Sequence, residues 1–162
     1  GAEILAEYLV EHADLVKGKQ VLELGSGMGL VGIVAHYLGA DKVILTDGDS
    51  KVLENLQYNI NQLEPCDTIS CRQLIWGKDS NLPKQNVILA ADCLYMIPSV
   101  RPFWKTVATL LNPTGMLIYV MVSSSQMPFE QVVQIAKENG LDVQTDAAPV
   151  YIFRRRQTST VS

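Results

Sequence analysis

Glu23-Leu24-Gly25-Ser26-Gly27-Met28-Gly29 sets three glycines between a strand-like apolar run and a helix-like apolar run. Glycine at such a junction lets the backbone turn tightly and lets a ligand approach main-chain N–H groups at a helix start. Twenty residues after Gly27, Asp47 closes a second apolar run. A carboxylate at a strand end can accept hydrogen bonds from both hydroxyls of a ribose. Turn and acid together suit an adenosine-bearing ligand. Gly27-Met28-Gly29-Leu30-Val31-Gly32 also satisfies GxGxxG, so a nicotinamide dinucleotide has to be weighed. Glu23 weighs against it: two residues before Gly25, a carboxylate suits the positive end of a methionine-bearing sulfonium ligand. A pyrophosphate gains nothing from an acid there. Asp92 stands after the very apolar run 86–91, at the edge where open α/β folds bind ligands.

Alternating strands and helices position these residues. Residues 2–16 put Ile4, Leu5, Leu9, Ala13 and Val16 on one helical face, with Gly18 as the stop. Strands are predicted over 20–24, 42–46, 69–75, 86–91 and 116–122, with a turn at Asn112-Pro113-Thr114-Gly115. Helices are predicted over 30–38, over a segment capped by Asp49 or Ser50, over 99–111, and from Pro128 to Gly140. Residues 141–145 and 150–155 read as a terminal strand pair. The expectation is an α/β fold: a Rossmann-like, seven-stranded, mostly parallel sheet with helices on both faces and a C-terminal antiparallel strand pair.

With 162 residues, 48% hydrophobic and 19% charged, the chain reads as one domain over 1–162 with a sizeable core. A dehydrogenase substrate domain has no room here. No run approaches the roughly 18 apolar residues of a membrane span, and no secretory signal opens the chain. Cys66, Cys71 and Cys93 lack CxxC or Cys/His spacing, which argues against a disulfide framework and a metal site and for a reduced compartment. A net charge of −4 weighs against a nucleic-acid partner. Residue 1 falls at the very start of a helical pattern, so a preceding N-terminal segment is expected to be missing.

Glu23 to Leu30 resembles the first motif of S-adenosylmethionine-dependent methyltransferases, and Leu45-Thr46-Asp47-Gly48-Asp49 resembles the acidic second motif. Leu74-Ile75-Trp76-Gly77 and Ala91-Asp92-Cys93-Leu94-Tyr95 narrow the likeness. Together they are similar to the seven-strand protein-lysine methyltransferases, the group with the calmodulin-lysine and elongation-factor-lysine enzymes. The resemblance implies S-adenosyl-L-methionine as donor and S-adenosyl-L-homocysteine as product. It assigns the donor to Glu23, Gly25, Ser26, Gly27, Gly29, Asp47, Gly48, Trp76 and Ala91, with Trp76 beside the adenine and Ala91 giving backbone contacts. It assigns Asp92 and Tyr95 to the channel where a lysine of a protein substrate meets the methyl group. It also implies a Trp-containing segment ahead of the first helix, and a cytoplasmic location extending to the nucleus.

Other residues read as bland. Cys93 is expected to be a small filler, Met28 a gap-filler, His12 and His36 ordinary helix residues, and Arg154-Arg155-Arg156 a solvated sheet end. Three rivals to the main reading stay open. One is a methyltransferase acting on a small molecule or nucleic acid, although Cys93-Leu94 replace the prolines of the usual loop for base amines. The others are a nicotinamide oxidoreductase and a non-catalytic methyltransferase-fold module for protein binding.

Overall fold

The computed structural model describes residues 1–122, 128–145 and 148–157. Its strands are β1 (Gln20–Leu24), β2 (Lys42–Asp47), β3 (Ile69–Gln73), β4 (Gln85–Ala91), β5 (Leu111–Val120), β6 (Leu141–Thr145) and β7 (Val150–Arg155). They form one seven-stranded sheet in the order β3-β2-β1-β4-β5-β7-β6. The first five run parallel, and β7 lies antiparallel between β5 and β6. The expected α/β architecture is the observed one. Parallel neighbours need crossovers, and the helices α1 (Ala2–Glu11), α2 (Leu30–Tyr37), α3 (Ser50–Asn61), α4 (Ile97–Leu110) and α5 (Phe129–Glu138) punctuate the strands.

Side-chain alternation along the strands builds a core on each face of the sheet. Leu22 and Leu24 of β1 pack with Phe103, Trp104 and Val107 of α4 and Ala136 of α5. Val21 points the other way, among Leu5 and Leu9 of α1, Val31 and Ala35 of α2 and Leu56 of α3. Glu23, two residues from Val21, shares that second side. From β1 the sheet grows outward through β2 and β3, then resumes on the opposite side of β1 with β4. Such a reversal leaves a crevice outside the carboxyl ends of β1 and β4.

Five local expectations are revised. The predicted 2–16 helix ends at Glu11, and a 3-10 turn follows over Ala13–Leu15. There the His12 ring stacks on Tyr8 at 4.2 Å while His12 N–H donates to the Tyr8 carbonyl at 3.0 Å. β3 ends at Gln73, and after one further bond from Leu74 N–H to the Asp47 carbonyl the chain reaches Gly77 at φ 81°. β5 starts at Leu111, with the expected turn absorbed as a register break between Gln85 and Val87 of β4. The arginine run is not simply solvated. Arg155 Nη2 donates to the Ala108 and Leu111 carbonyls at the end of α4, and Arg156 grips Asp142 with two contacts of 3.0 Å. That pairing holds the Asp142 carboxyl below its ordinary range. Met28 is 60% exposed, so it fills no gap. Among the described residues no helix is long and apolar enough to cross a membrane.

Candidate functional site

The crevice holds a cavity of about 570 Å³, within the range of small-molecule sites. Its wall includes Gly25 after β1, Asp47, Gly48 and Asp49 after β2, and Trp76 after β3. Ala91, Asp92 and Tyr95 complete it from the end of β4 onward. Seven of the eleven sequence-assigned residues therefore meet on one surface. The other four (Glu23, Ser26, Gly27 and Gly29) lie beneath it and shape the turn.

Gly25 sits at φ 67°, and a Cβ there would come within 2.9 Å of Cys93 Cβ. Only glycine satisfies both the left-handed backbone and this close approach of β1 to β4. Ser26 is buried. Its hydroxyl accepts from Thr46 N–H at 3.0 Å, and its own N–H donates to the Thr46 carbonyl at 2.8 Å. These two bonds fasten the turn to β2. Gly27 N–H donates to Asp47 Oδ2 at 3.2 Å, and Asp49 N–H donates to Asp47 Oδ1 at 3.1 Å. The Asp47 carboxylate is thereby oriented at the mouth. Asp49 caps α3, accepting from Lys51 N–H at 2.8 Å. Gly29 caps α2 at φ 89°.

Glu23 departs from its expected place. It is 4% exposed, and its Oε2 accepts from Gly32 N–H at 3.0 Å. Strand alternation explains this: Glu23 faces α2 beneath the glycine turn, and it is not part of the cavity wall. Burial pushes its carboxyl up to about 8, aided by the Asp47 charge and opposed by bonds from Gly32 and Ser26. The third glycine of the GxGxxG run thus serves helix packing, because a Cβ on Gly32 would strike the Leu45 side chain and Glu23 Oε2.

Trp76 forms one wall, half-buried, with its ring edge-on to Phe103 at 5.1 Å. Gly77 N–H donates to Thr106 Oγ1 at 2.9 Å, tying the tryptophan loop to α4. Sequence reasoning missed Thr106 and Phe103 as supports, since nothing local links α4 to residue 76. It also missed Met96, Pro98, Ser99 and Pro102 on the wall. Met96, Pro98 and Ser99 follow Tyr95 closely, and that adjacency was the available signal.

Asp92 adopts φ 45°, a left-handed conformation uncommon for a residue other than glycine. Its N–H donates to the Val120 carbonyl at 2.9 Å, and its Oδ1 accepts from Val122 N–H at 2.7 Å. The Gly1 nitrogen lies 2.9 Å from its Oδ2, so the carboxylate joins β4, the exit of β5 and the start of α1. Tyr95 is 67% exposed at the rim, flanked by Met96 at 53% and Ile97 at 50%. Cys93 is buried, and burial pushes its thiol far up, which removes it as a nucleophile. His36 contacts Thr68 at 3.3 Å and Cys66 at 3.8 Å on the far side of α2. Among the described residues no cluster of His, Cys, Asp or Glu could hold a metal ion.

A family model described as lysine methyltransferase matches residues 1–136. A protein N-terminal and lysine N-methyltransferase of Gibberella zeae, EFM7, is 28% identical over 171 residues, covering 89% of this chain and 64% of that protein. The protein N-lysine methyltransferase METTL21A of Xenopus tropicalis is 39% identical over 127 residues, covering 76% of this chain and 57% of that protein. The chain thus spans between about half and two thirds of the length of such curated relatives. In three dimensions it resembles magnesium protoporphyrin IX methyltransferase from Synechocystis with bound SAM. That match has a TM-score of 0.74 at 18% identity, covering 96% of this chain and 78% of that one.

Proposed function

The chain belongs to the lysine methyltransferase family, and from that premise we propose that it moves a methyl group from S-adenosyl-L-methionine to a lysine amine of a protein substrate. One observation carries the reading: the cavity wall holds three carboxylates, an indole face and open backbone, with no Lys, Arg or His among its described residues. A dinucleotide pyrophosphate would meet acids there, and the Gly27 N–H at the approach to α2 is already given to Asp47. An adenosine carrying a cationic sulfonium fits the same wall.

The bound donor supplies an electrophilic methyl carbon on positively charged sulfur. Asp47 and Gly48 would hold the ribose hydroxyls, Trp76 would flank the adenine, and Ala91 would offer its backbone. Glu23 acts from below by holding the turn. On the acceptor side the amine must arrive neutral, although lysine ordinarily titrates near 10.4. An ionised Asp92 favours the ammonium form, so its useful role is to orient the amine. Hydrogen bonds already received by both Asp92 oxygens weaken its hold on that proton. The proton leaves through the open mouth, where Tyr95 guides the side chain in. Alignment of nitrogen with the methyl carbon supplies much of the acceleration.

A second acceptor, a protein α-amine, meets the same need for a neutral nitrogen in line with the methyl carbon. The Gibberella zeae relative is named for both acceptors. The proposal extends to location: the cytoplasm, with access to the nucleus, supported by three free cysteines.

The decisive experiment incubates the protein with labelled donor and a cell extract, then maps the label by mass spectrometry. Methyl label on a protein lysine is expected. Label on RNA or on small molecules would overturn the acceptor, and a chain that fails to bind S-adenosylhomocysteine would be a non-catalytic module.

A further inference from the structure

Near the acceptor loop lies a polar group with no role so far. Tyr119, the penultimate residue of β5, is fully buried, yet its hydroxyl has no hydrogen-bond partner among the described residues. A buried hydroxyl without a partner forfeits the hydration it had in the unfolded chain. Tyr119 stands opposite Ala90 on β4 and Tyr151 on β7, so it is held on both sides in the middle of the sheet. Its ring packs 5.9 Å from Phe103, the residue that backs Trp76, and it belongs to the same buried cluster as Cys93 and Leu94. The phenol thus shares its buried surroundings with Cys93 and Leu94 of the segment 92–95.

A second observation falls on that segment. Asp92 holds its left-handed backbone at φ 45°, pinned by bonds to Val120, the last residue of the strand that carries Tyr119, and to Val122 just beyond it. Strained backbone and orphaned polar groups persist where surrounding structure enforces them, and they concentrate at functional segments. Burial, then the nearby Cys93 and Asp92, push the Tyr119 phenol well above its ordinary range, so it stays protonated and remains a donor. A donor without an acceptor sits near a strained loop that carries the acceptor-site acid.

We propose that Tyr119 is a positioning residue for the acceptor site, its hydroxyl bonding the Asp92–Cys93 segment when an amine draws the Asp92 carboxylate toward the cavity. Tyr119 touches neither donor nor amine. It acts through the loop, steadying Asp92 in the arrangement that presents the amine. The proposal rests on the methyl-transfer reading above.

The test uses the whole chain and its Tyr119→Phe variant, which keeps the ring and removes only the oxygen. S-adenosylhomocysteine stands in for the donor and n-butylamine for the lysine side chain. Amide hydrogen exchange at Asp92 and Cys93 is followed with each probe alone and with both. In the wild type, both probes together are expected to slow exchange by about tenfold beyond S-adenosylhomocysteine alone, the factor equivalent to ~1.4 kcal/mol. Tyr119→Phe is expected to lose that slowing, keep its affinity for S-adenosylhomocysteine and melt no lower than the wild type. A purely structural hydroxyl would change only the melting temperature. Slowing retained in Tyr119→Phe, or absent from a wild type that binds S-adenosylhomocysteine, overturns the Tyr119 proposal alone. A wild type that ignores S-adenosylhomocysteine defeats the methyl-transfer reading and this proposal with it.

Discussion

Glu23 Oε2 accepts a 3.0 Å hydrogen bond from the Gly32 N–H, joining the end of β1 to the first turn of α2 beneath the glycine turn. The bond survives protonation of the carboxyl, which is why burial can raise that group to about 8 without loosening the turn. The folded chain therefore holds this proton more tightly than the unfolded chain. Its stabilising effect is complete below 4.5, the ordinary value, and is lost as pH rises through about 8. Glu23→Gln copies the protonated form. Urea unfolding at stepped pH is expected to show wild-type stability falling across that window by a few kcal/mol at most, with the variant's curve nearly flat. Equal slopes for both proteins would remove Glu23 as the cause.

Asp47 binds two backbone N–H groups and faces the cavity, so its removal should act on donor affinity more than on folding. Asp47→Asn is expected to weaken S-adenosylhomocysteine binding about tenfold or more, the usual cost of a lost charge-assisted bond. Calorimetric titration checks it, with the melting temperature expected to move little.

Gly25→Ala adds a Cβ in a left-handed conformation and drives it against Cys93 Cβ at 2.9 Å. The backbone term alone is roughly 1–2 kcal/mol. A fall of several degrees in melting temperature, roughly 2–4 °C per kcal/mol at this chain length, is the expected result, together with loss of donor binding. A variant that melts and binds as the wild type does would show that the turn has more room than the structure gives it.

Thr106→Val leaves the Gly77 N–H without its acceptor and frees the loop that holds Trp76. The expected loss is about 1–3 kcal/mol of stability. Donor affinity should fall too, even though Thr106 does not line the donor cavity. Tryptophan fluorescence reports it directly: emission from Trp76 should shift red, while buried Trp104 stays unchanged.

Asp92→Ala and Tyr95→Ala should separate binding from transfer. Both residues line the cavity, Tyr95 at its exposed rim, and the proposed function gives them to the acceptor. Methyl incorporation into protein is expected to drop by at least about a hundredfold, a few kcal/mol of barrier. S-adenosylhomocysteine binding should largely survive in a parallel titration. Equal loss of both would move these residues to the donor site.

The sheet and most of its boundaries were legible because strand–helix alternation is written in local hydrophobic periodicity. The strands 20–24, 141–145 and 150–155 lie where the pattern puts them. Boundaries that moved did so for non-local reasons. Leu111 joins β5 because Gln85 on β4 pairs with it, and nothing near residue 111 reveals that partner. Arg155 reads as a surface charge until the end of α4 offers it two carbonyls.

The candidate site divides along the same line. The sequence by itself determined the glycine turn, the acid at the end of β2 and the acid after β4, because each lies beside the apolar run that ends there. It could not determine which way Glu23 points, since that depends on the sheet face packed by α2. Nor could it reveal that Thr106 and Phe103 brace Trp76, or that the Tyr119 hydroxyl, on the strand end that bonds Asp92, is buried without a hydrogen-bond partner among the described residues. Those relations join residues some 27 to 30 positions apart, and only the folded sheet brings their side chains together.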